Sequence, residues 1–242
     1  MLREPAWPLA FTFMPLGLIA VMNAAFSKWL RYNDGLPDAT GAELSVGGQS
    51  AVFSIMLLAN FGLFFYRDHS TGVWDRTRAS FASPVEIVTG KLSATWLAHL
   101  VQYTALVVFA QLAFGLPVTS RAVAVGAVVL CTVTATIALG FALFAWYRSS
   151  NAFEATAMMG AMVLGALGGA FAPREKLPGW SKPLQPLSPV SWTVDGFRVL
   201  FVEGRGLGAV VRPCLALLAF AAVFAVVGVL RFDPDESKAK NR

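Results

Sequence analysis

The chain has 242 residues, of which 56% are hydrophobic and 14% charged, with a formal net charge of +5. That composition is wrong for a water-soluble domain of this length. The basic residues are scattered among the connections instead of forming one patch, which argues against nucleic acid as a partner and suits contact with anionic lipid headgroups.

Six apolar runs fill the chain, at residues 7–27, 48–66, 92–115, 122–147, 155–172 and about 208–230. A helix needs about 20 residues to cross the hydrocarbon layer, so each run is long enough. Five of the six contain no Asp, Glu, Lys or Arg, and the last holds only Arg212, near its start, from where a long side chain reaches the headgroups. The predicted fold is an all-α integral membrane protein: six transmembrane helices forming one domain over residues 1–242. No polar stretch left between the spans is long enough for a second folded domain. The first run is longer than the about 7–15 residues of a signal-peptide core, and is read as an uncleaved span. An even number of spans places both ends on one side, but Lys and Arg divide almost evenly between the two sides and do not set the orientation.

In chain order, the connection after the first span (28–47) is turn-like, reading NDGLPDATG at its centre. The second connection is a polar island, YRDHSTGVWDRTRASFASPVEIVTGK, residues 66–91. Short turns follow at 116–121 and 148–154, and the longest connection, 173–206, precedes the last span. Within it, Ser188 and Pro189 read as an N-cap followed by proline at the first helical position. The predicted helix, 189 to about 202, carries Trp192, Phe197, Val199, Leu200 and Phe201, with Asp195 and Arg198 spaced to pair on one face. It is too short and too charged to cross, so it is expected to lie in the interface or to dip in and return. In the fifth span, Gly165 and Gly169 form a small-xxx-small pair that lets two helices approach closely, inside one subunit or across a dimer.

Polar side chains in lipid are the default functional candidates. Here they are Asn23, Asn60, His99 and Gln102, candidates for lining a substrate path, together with Gln111. There is no chain of carboxylates or histidines for an ion pathway and no HExxH motif for a metalloprotease. A GxxxxGK[ST] phosphate loop for ATP is missing as well. Cys131 and Cys214 fall inside apolar runs and read as buried thiols; no metal site is predicted. An apolar bundle without such groups suits the movement of an amphipathic or lipophilic molecule, with energy supplied by another chain.

The polar island, with Asp68, Gly72, Trp74, Asp75, Arg76, Arg78, Ala79, Ser83, Pro84, Glu86, Gly90 and Lys91 in that order, resembles the cytoplasmic connection of type-2 ABC exporter permeases. It is closest to the drug- and antibiotic-resistance branch. Pro186-Leu187-Ser188-Pro189 and Trp192 to Arg198 before the last span resemble that family too, as do the number and lengths of the spans. The sequence departs from the family at Asp68, commonly Glu there, and in the few residues before the first span, where the family commonly has an interfacial helix.

The resemblance implies a six-helix half-bundle that pairs with a second permease subunit, identical or related, and with two copies of an ABC ATPase that hold the ATP and Mg. This chain itself would need no cofactor and would have no catalytic residue. The island would form a coupling helix, about Gly72 to Ser83, seated in a groove of the ATPase. Trp74 and Phe81 would be its anchors and Arg76 and Arg78 its ionic contacts. Asp75 would pair with Arg78, and Ser83-Pro84 would end the helix. Both termini and the island would lie on the cytoplasmic side of the cytoplasmic membrane, and Ser188, Pro189, Trp192 and Arg198 would belong to an outer segment capping the exit. Two other readings stay open: an exporter of lipid or lipid-linked glycan, and a membrane anchor or assembly protein that binds a soluble partner through the same island.

Overall fold

The computed structural model describes residues 6–33, 40–236 and 238, with residues 6–11, 29–31, 33, 60, 61, 63 and 175 described by backbone alone. The described residues are helical throughout, with no strand: α1 Ala6–Asn33, α2 Gly41–Ser70, α3 Val73–Arg78, α4 Pro84–Phe114, α5 Ala122–Trp146, α6 Ser150–Gly168, α7 Pro189–Phe201 and α8 Val211–Arg231, joined by turns and short 3-10 segments. Among the described residues, four stretches are long and apolar enough to cross a membrane by length and composition: Gly41–Ser70, Pro84–Phe114, Thr119–Trp146 and Leu207–Arg231.

α2 is the hub. In its most apolar stretch 80% of residues are buried, against 28% for α4 and 22% for α8. Its glycines admit other elements: Gly47 lies under Phe197 of α7, Gly48 under Ala170 after α6, and Gly62 under the ring of Phe153 on α6. α8 lies along α5, where Phe141 covers Gly228. The outward faces of α4 (Leu97, Val101, Leu112) and α8 (Leu215, Val223, Val226, Leu230) are exposed and apolar, which water would not tolerate over such an area and lipid does. Both ends of α8 carry an arginine over an indole: Arg212 sits 5.6 Å from the Trp192 ring and Arg231 5.5 Å from that of Trp146. At about 1.5 Å per residue these arginines are about 28 Å apart along the helix, close to the roughly 30 Å hydrocarbon thickness.

Helix starts are set by side chains that satisfy otherwise orphaned N–H groups. Asn23 Oδ1 and Ser27 Oγ on α1 accept from the N–H groups of Ala42 (3.0 Å) and Gly41 (2.9 Å), and so cap α2 from outside. At α4, Ser83 Oγ accepts from Glu86 N–H (3.3 Å) while the Glu86 carboxylate accepts from Ser83 N–H (2.7 Å), a capping box with Pro84 in the first turn. Ser83-Pro84 thus begins the next long helix instead of closing a coupling helix that reaches it. The helix expected to be the coupling helix is shorter than that, Val73–Arg78, and Phe81 lies beyond it in the turn.

Two more expectations are corrected. Pro189 does occupy the first turn of α7, but the Ser188 hydroxyl makes no cap; it donates to the Leu164 carbonyl of α6 at 2.8 Å. Asp195 pairs with Arg174, not Arg198. Gly165 packs within the chain, where a side chain would strike Val52 of α2, and Gly169, at φ +83°, ends the helix in the left-handed conformation that glycine adopts without strain.

Candidate functional site

The end of the bundle that carries α3 is built around Trp74. Its indole is buried and stacks on His69 at 4.7 Å, with Lys91 Nζ 5.4 Å from the ring. Lys91 also forms an ion pair with Asp68 and lies 5.5 Å from the Phe65 ring. Indole, imidazole and ammonium therefore fix α3 to the ends of α2 and α4. Gly72, at φ +67°, makes the sharp entry into α3.

Arg78, expected to face a partner, turns inward. It donates to the Pro234 carbonyl (3.0 Å) and pairs with Asp235 (2.5 Å), and Trp74 Nε1 donates to the same carbonyl (3.3 Å). What faces outward is Phe81, fully exposed, and on α3 the exposed Asp75 and Arg76. Arg76 donates to the Gly72 carbonyl (3.3 Å), which holds its stem on α3. The two expected anchors thus have opposite fates: Trp74 anchors the helix to its own bundle, and Phe81 is free for another surface.

A second constellation lies in the interior. His99 Nε2 and Ser54 Oγ are 2.6 Å apart, and Ser54 donates to Thr136 Oγ1 at 3.3 Å. Ser50 Oγ and Tyr103 OH are 2.8 Å apart, and Thr132 and Thr193 hydroxyls 3.0 Å apart. All these side chains are buried. They stitch α2, α4, α5 and α7 together, with Thr193 also bonded to its own helix. The sequence carried a signal for this cluster that is easily missed: Ser50/Ser54, His99/Tyr103 and Thr132/Thr136 are three pairs spaced i, i+4, one on each of three helices.

Of the expected path residues, His99 is in this cluster and Gln102 donates to Thr12 of α1 at 2.6 Å. Asn23 caps α2, and the side chain of Asn60 lies outside the described residues. Two small cavities flank the interior, about 10 Å³ beside Thr132 and Thr193 and about 20 Å³ beside Gly62 and Phe153. Neither holds more than about a water or two.

At the opposite end, nine of the 13 residues of α7 are buried. The Arg174–Asp195 pair, the bond from Arg174 to Gln185 (3.2 Å) and that from Trp192 Nε1 to the Pro186 carbonyl (2.9 Å) fold the preceding turns onto it. α7 is therefore packed into the bundle, against α2, α5, α6 and α8.

A sequence model of the ABC-2 type transporter membrane family matches residues 1–202, most of the chain and all of α1 to α7. The chain belongs to the ABC-2 type transporter family. No curated protein matches it. It is thus an ABC-type membrane permease, and ABC-2 permeases as a class work with an ABC ATPase and leave ATP binding to it. The matched region includes α3, the Phe81 turn and the buried hydroxyl cluster, while the segment after α8 that holds Arg78 lies beyond it.

Proposed function

We propose that this ABC-2 permease is the membrane subunit of an exporter that moves a hydrophobic or amphipathic compound of the drug or antibiotic class, powered by separate ATPase subunits. The observation that carries the reading is the surface at the α3 end. A fully exposed phenylalanine, Phe81, stands in the turn that follows a short helix, which presents Asp75 and Arg76 to solvent and is fastened to the bundle through Trp74 and the Asp68–Lys91 pair. An exposed aromatic following an anchored helix that carries exposed charges has the make-up of a protein-contact hot spot. α3 and both termini are cytoplasmic in this reading, and α1 and α6 join the four longest apolar helices to make six spans.

In this reading the cargo route runs between two permease subunits, with Ser188, Pro189, Trp192 and Arg198 in the segment that closes its outer end. ATP-driven approach of the two ATPases would press on the Phe81 turns and shift the pair from inward- to outward-open.

The test is purification of the tagged chain from its native membrane in mild detergent, with mass spectrometry of what accompanies it. A stoichiometric P-loop ATPase, lost on Phe81→Ala, with hydrolysis stimulated by apolar compounds, is the expected result. Reproducible capture of a different soluble protein in its place would favour an anchor or assembly role.

A further inference from the structure

We infer that the segment following α8 is a strap that ties the coupling helix α3 to the end of α5, so that displacement of α3 is transmitted to α5 and not only to its chain neighbours. The tie is read from the geometry alone; its role in coupling rests on the function proposed above.

The strap has two anchors. At the α3 end, Phe232 meets the edge of Trp74 (centroids 6.4 Å), the Pro234 carbonyl accepts from both Trp74 and Arg78, and Asp235 pairs with Arg78. Asp233 accepts the Asp235 N–H (2.9 Å) and sets the turn between them. At the α5 end, Lys238 is wholly buried. Its ammonium donates to the carbonyls of Phe144 (2.9 Å), Ala145 (2.9 Å) and Tyr147 (3.3 Å), and pairs with Glu236 at 2.9 Å. Glu236 is shared with Arg148, and Lys238 Nζ lies 5.2 Å from the Phe144 ring.

A lysine is almost never buried without full pairing, because its charge is costly to remove from water. Here every ammonium proton has an acceptor, and the acceptors are the last carbonyls of a helix, the groups that helix geometry leaves unsatisfied and partially negative. Lys238 is therefore a built anchor. From α5 the linkage continues to α7 through the Thr132–Thr193 bond and the contact of Val128 with Gly196. The strap also keeps Arg78 away from the docking surface.

The experiment is hydrogen exchange on the purified chain in lipid nanodiscs, with no ATPase present, reading the amides of Arg76 in α3 and of Ala79 and Ser80 just past it, which bond back to the carbonyls of Gly72, Asp75 and Thr77. Lys238 touches α5 and not α3. If the strap joins them, Lys238→Met speeds exchange in α3 by about tenfold or more. Loosening confined to the last turn of α5, with α3 as protected as before, would overturn the inference. Because Lys238→Met removes a buried group, a charge exchange on the exposed side serves as the second variant. Asp235→Arg alone should loosen α3, and Arg78→Asp together with Asp235→Arg should restore it; a double variant as loose as the single one counts against the strap.

With an ATPase bound, Lys238→Met should retain the partner while losing about tenfold in cargo-stimulated hydrolysis; full stimulation would show that the tie transmits nothing. If the wild-type chain captures no ATPase, the proposed function fails while the exchange result still decides the strap.

Discussion

Gly47 offers a sharp test of the packing that seats α7. A β-carbon added there would lie 2.9 Å from Phe197 Cβ and 3.2 and 3.3 Å from two of its ring carbons. Carbon pairs rest at about 3.5–4.0 Å, so α7 must retreat from α2 by roughly 0.6–1 Å. Phe197 is wholly buried, and its ring packs on Phe201 with centroids 5.5 Å apart, so it has no free space to turn into. Overpacking of this kind costs about 1–3 kcal/mol. Against that, alanine in place of a mid-helix glycine returns about 1 kcal/mol of propensity. Gly160 on α6 is the matched control, since a β-carbon there meets nothing within 4 Å and Gly160→Ala collects the propensity gain alone. Equilibrium unfolding of the two variants in mixed micelles should therefore differ by the overpacking cost, roughly 5- to 150-fold in the ratio of folded to unfolded chain. Equal stability of Gly47→Ala and Gly160→Ala would refute the tight α2–α7 seat.

Other expectations follow from the same contacts. Phe81→Ala should leave stability within about 0.5 kcal/mol of wild type yet lose the ATPase, whereas Trp74→Ala should cost about 3–5 kcal/mol as a buried indole; the reverse pattern in melting and pull-down would exchange the roles of the two anchors. His99→Leu should cost about 1–3 kcal/mol by breaking the bond to Ser54, and adding Ser54→Ala should cost less than the sum of the two, as a double-mutant cycle in unfolding would show. Burial raises the Glu236 carboxyl, but Lys238 and Arg148 outweigh it and hold the group below its ordinary 4.5. A lowered carboxylate stabilises above its unfolded value and loses that contribution as pH falls through the folded one. Protection of α3 should therefore hold above about pH 5 and decline on acidification below it, a decline that Glu236→Gln should reduce in exchange measured across that range. A cysteine at exposed Asp75 should resist an impermeant thiol reagent applied outside intact cells; rapid labelling would invert the proposed orientation.

The apolar runs located the long helices because length and hydrophobicity alone decide what lipid accepts. The ends were misread where polar residues are helical for tertiary reasons. α2 starts at Gly41, seven residues before the apolar run, because Asn23 and Ser27 of α1 cap it and Ser45 is buried. α4 starts at Pro84 because Ser83 and Glu86 form a local cap, a pattern present in the sequence but assigned to the end of the preceding helix. The roles of Trp74 and Phe81 depended on how long α3 is, and a six-residue helix leaves Phe81 off it. Arg78 was assigned to a neighbour three residues away, whereas its partners, Pro234 and Asp235, are more than 150 residues away, beyond the reach of any local periodicity.

The polar face of α2 also bears on the order in which the bundle is made. As the second long helix synthesised, α2, which carries the buried Ser45, Gln49 and Ser50, is made before α6 and α7 exist. Two of these groups need no later partner: Ser45 donates to the Gly41 carbonyl (2.9 Å) and Ser50 to that of Val46 (2.6 Å), both within the helix. Gln49 differs, for its amide donates to the Ala170 carbonyl (2.9 Å), past the end of α6. More than a hundred residues must be added before that acceptor arrives. Until then the Gln49 amide is without this acceptor, so the arrival of Ala170 is one step in synthesis that lets the bundle close around its central helix.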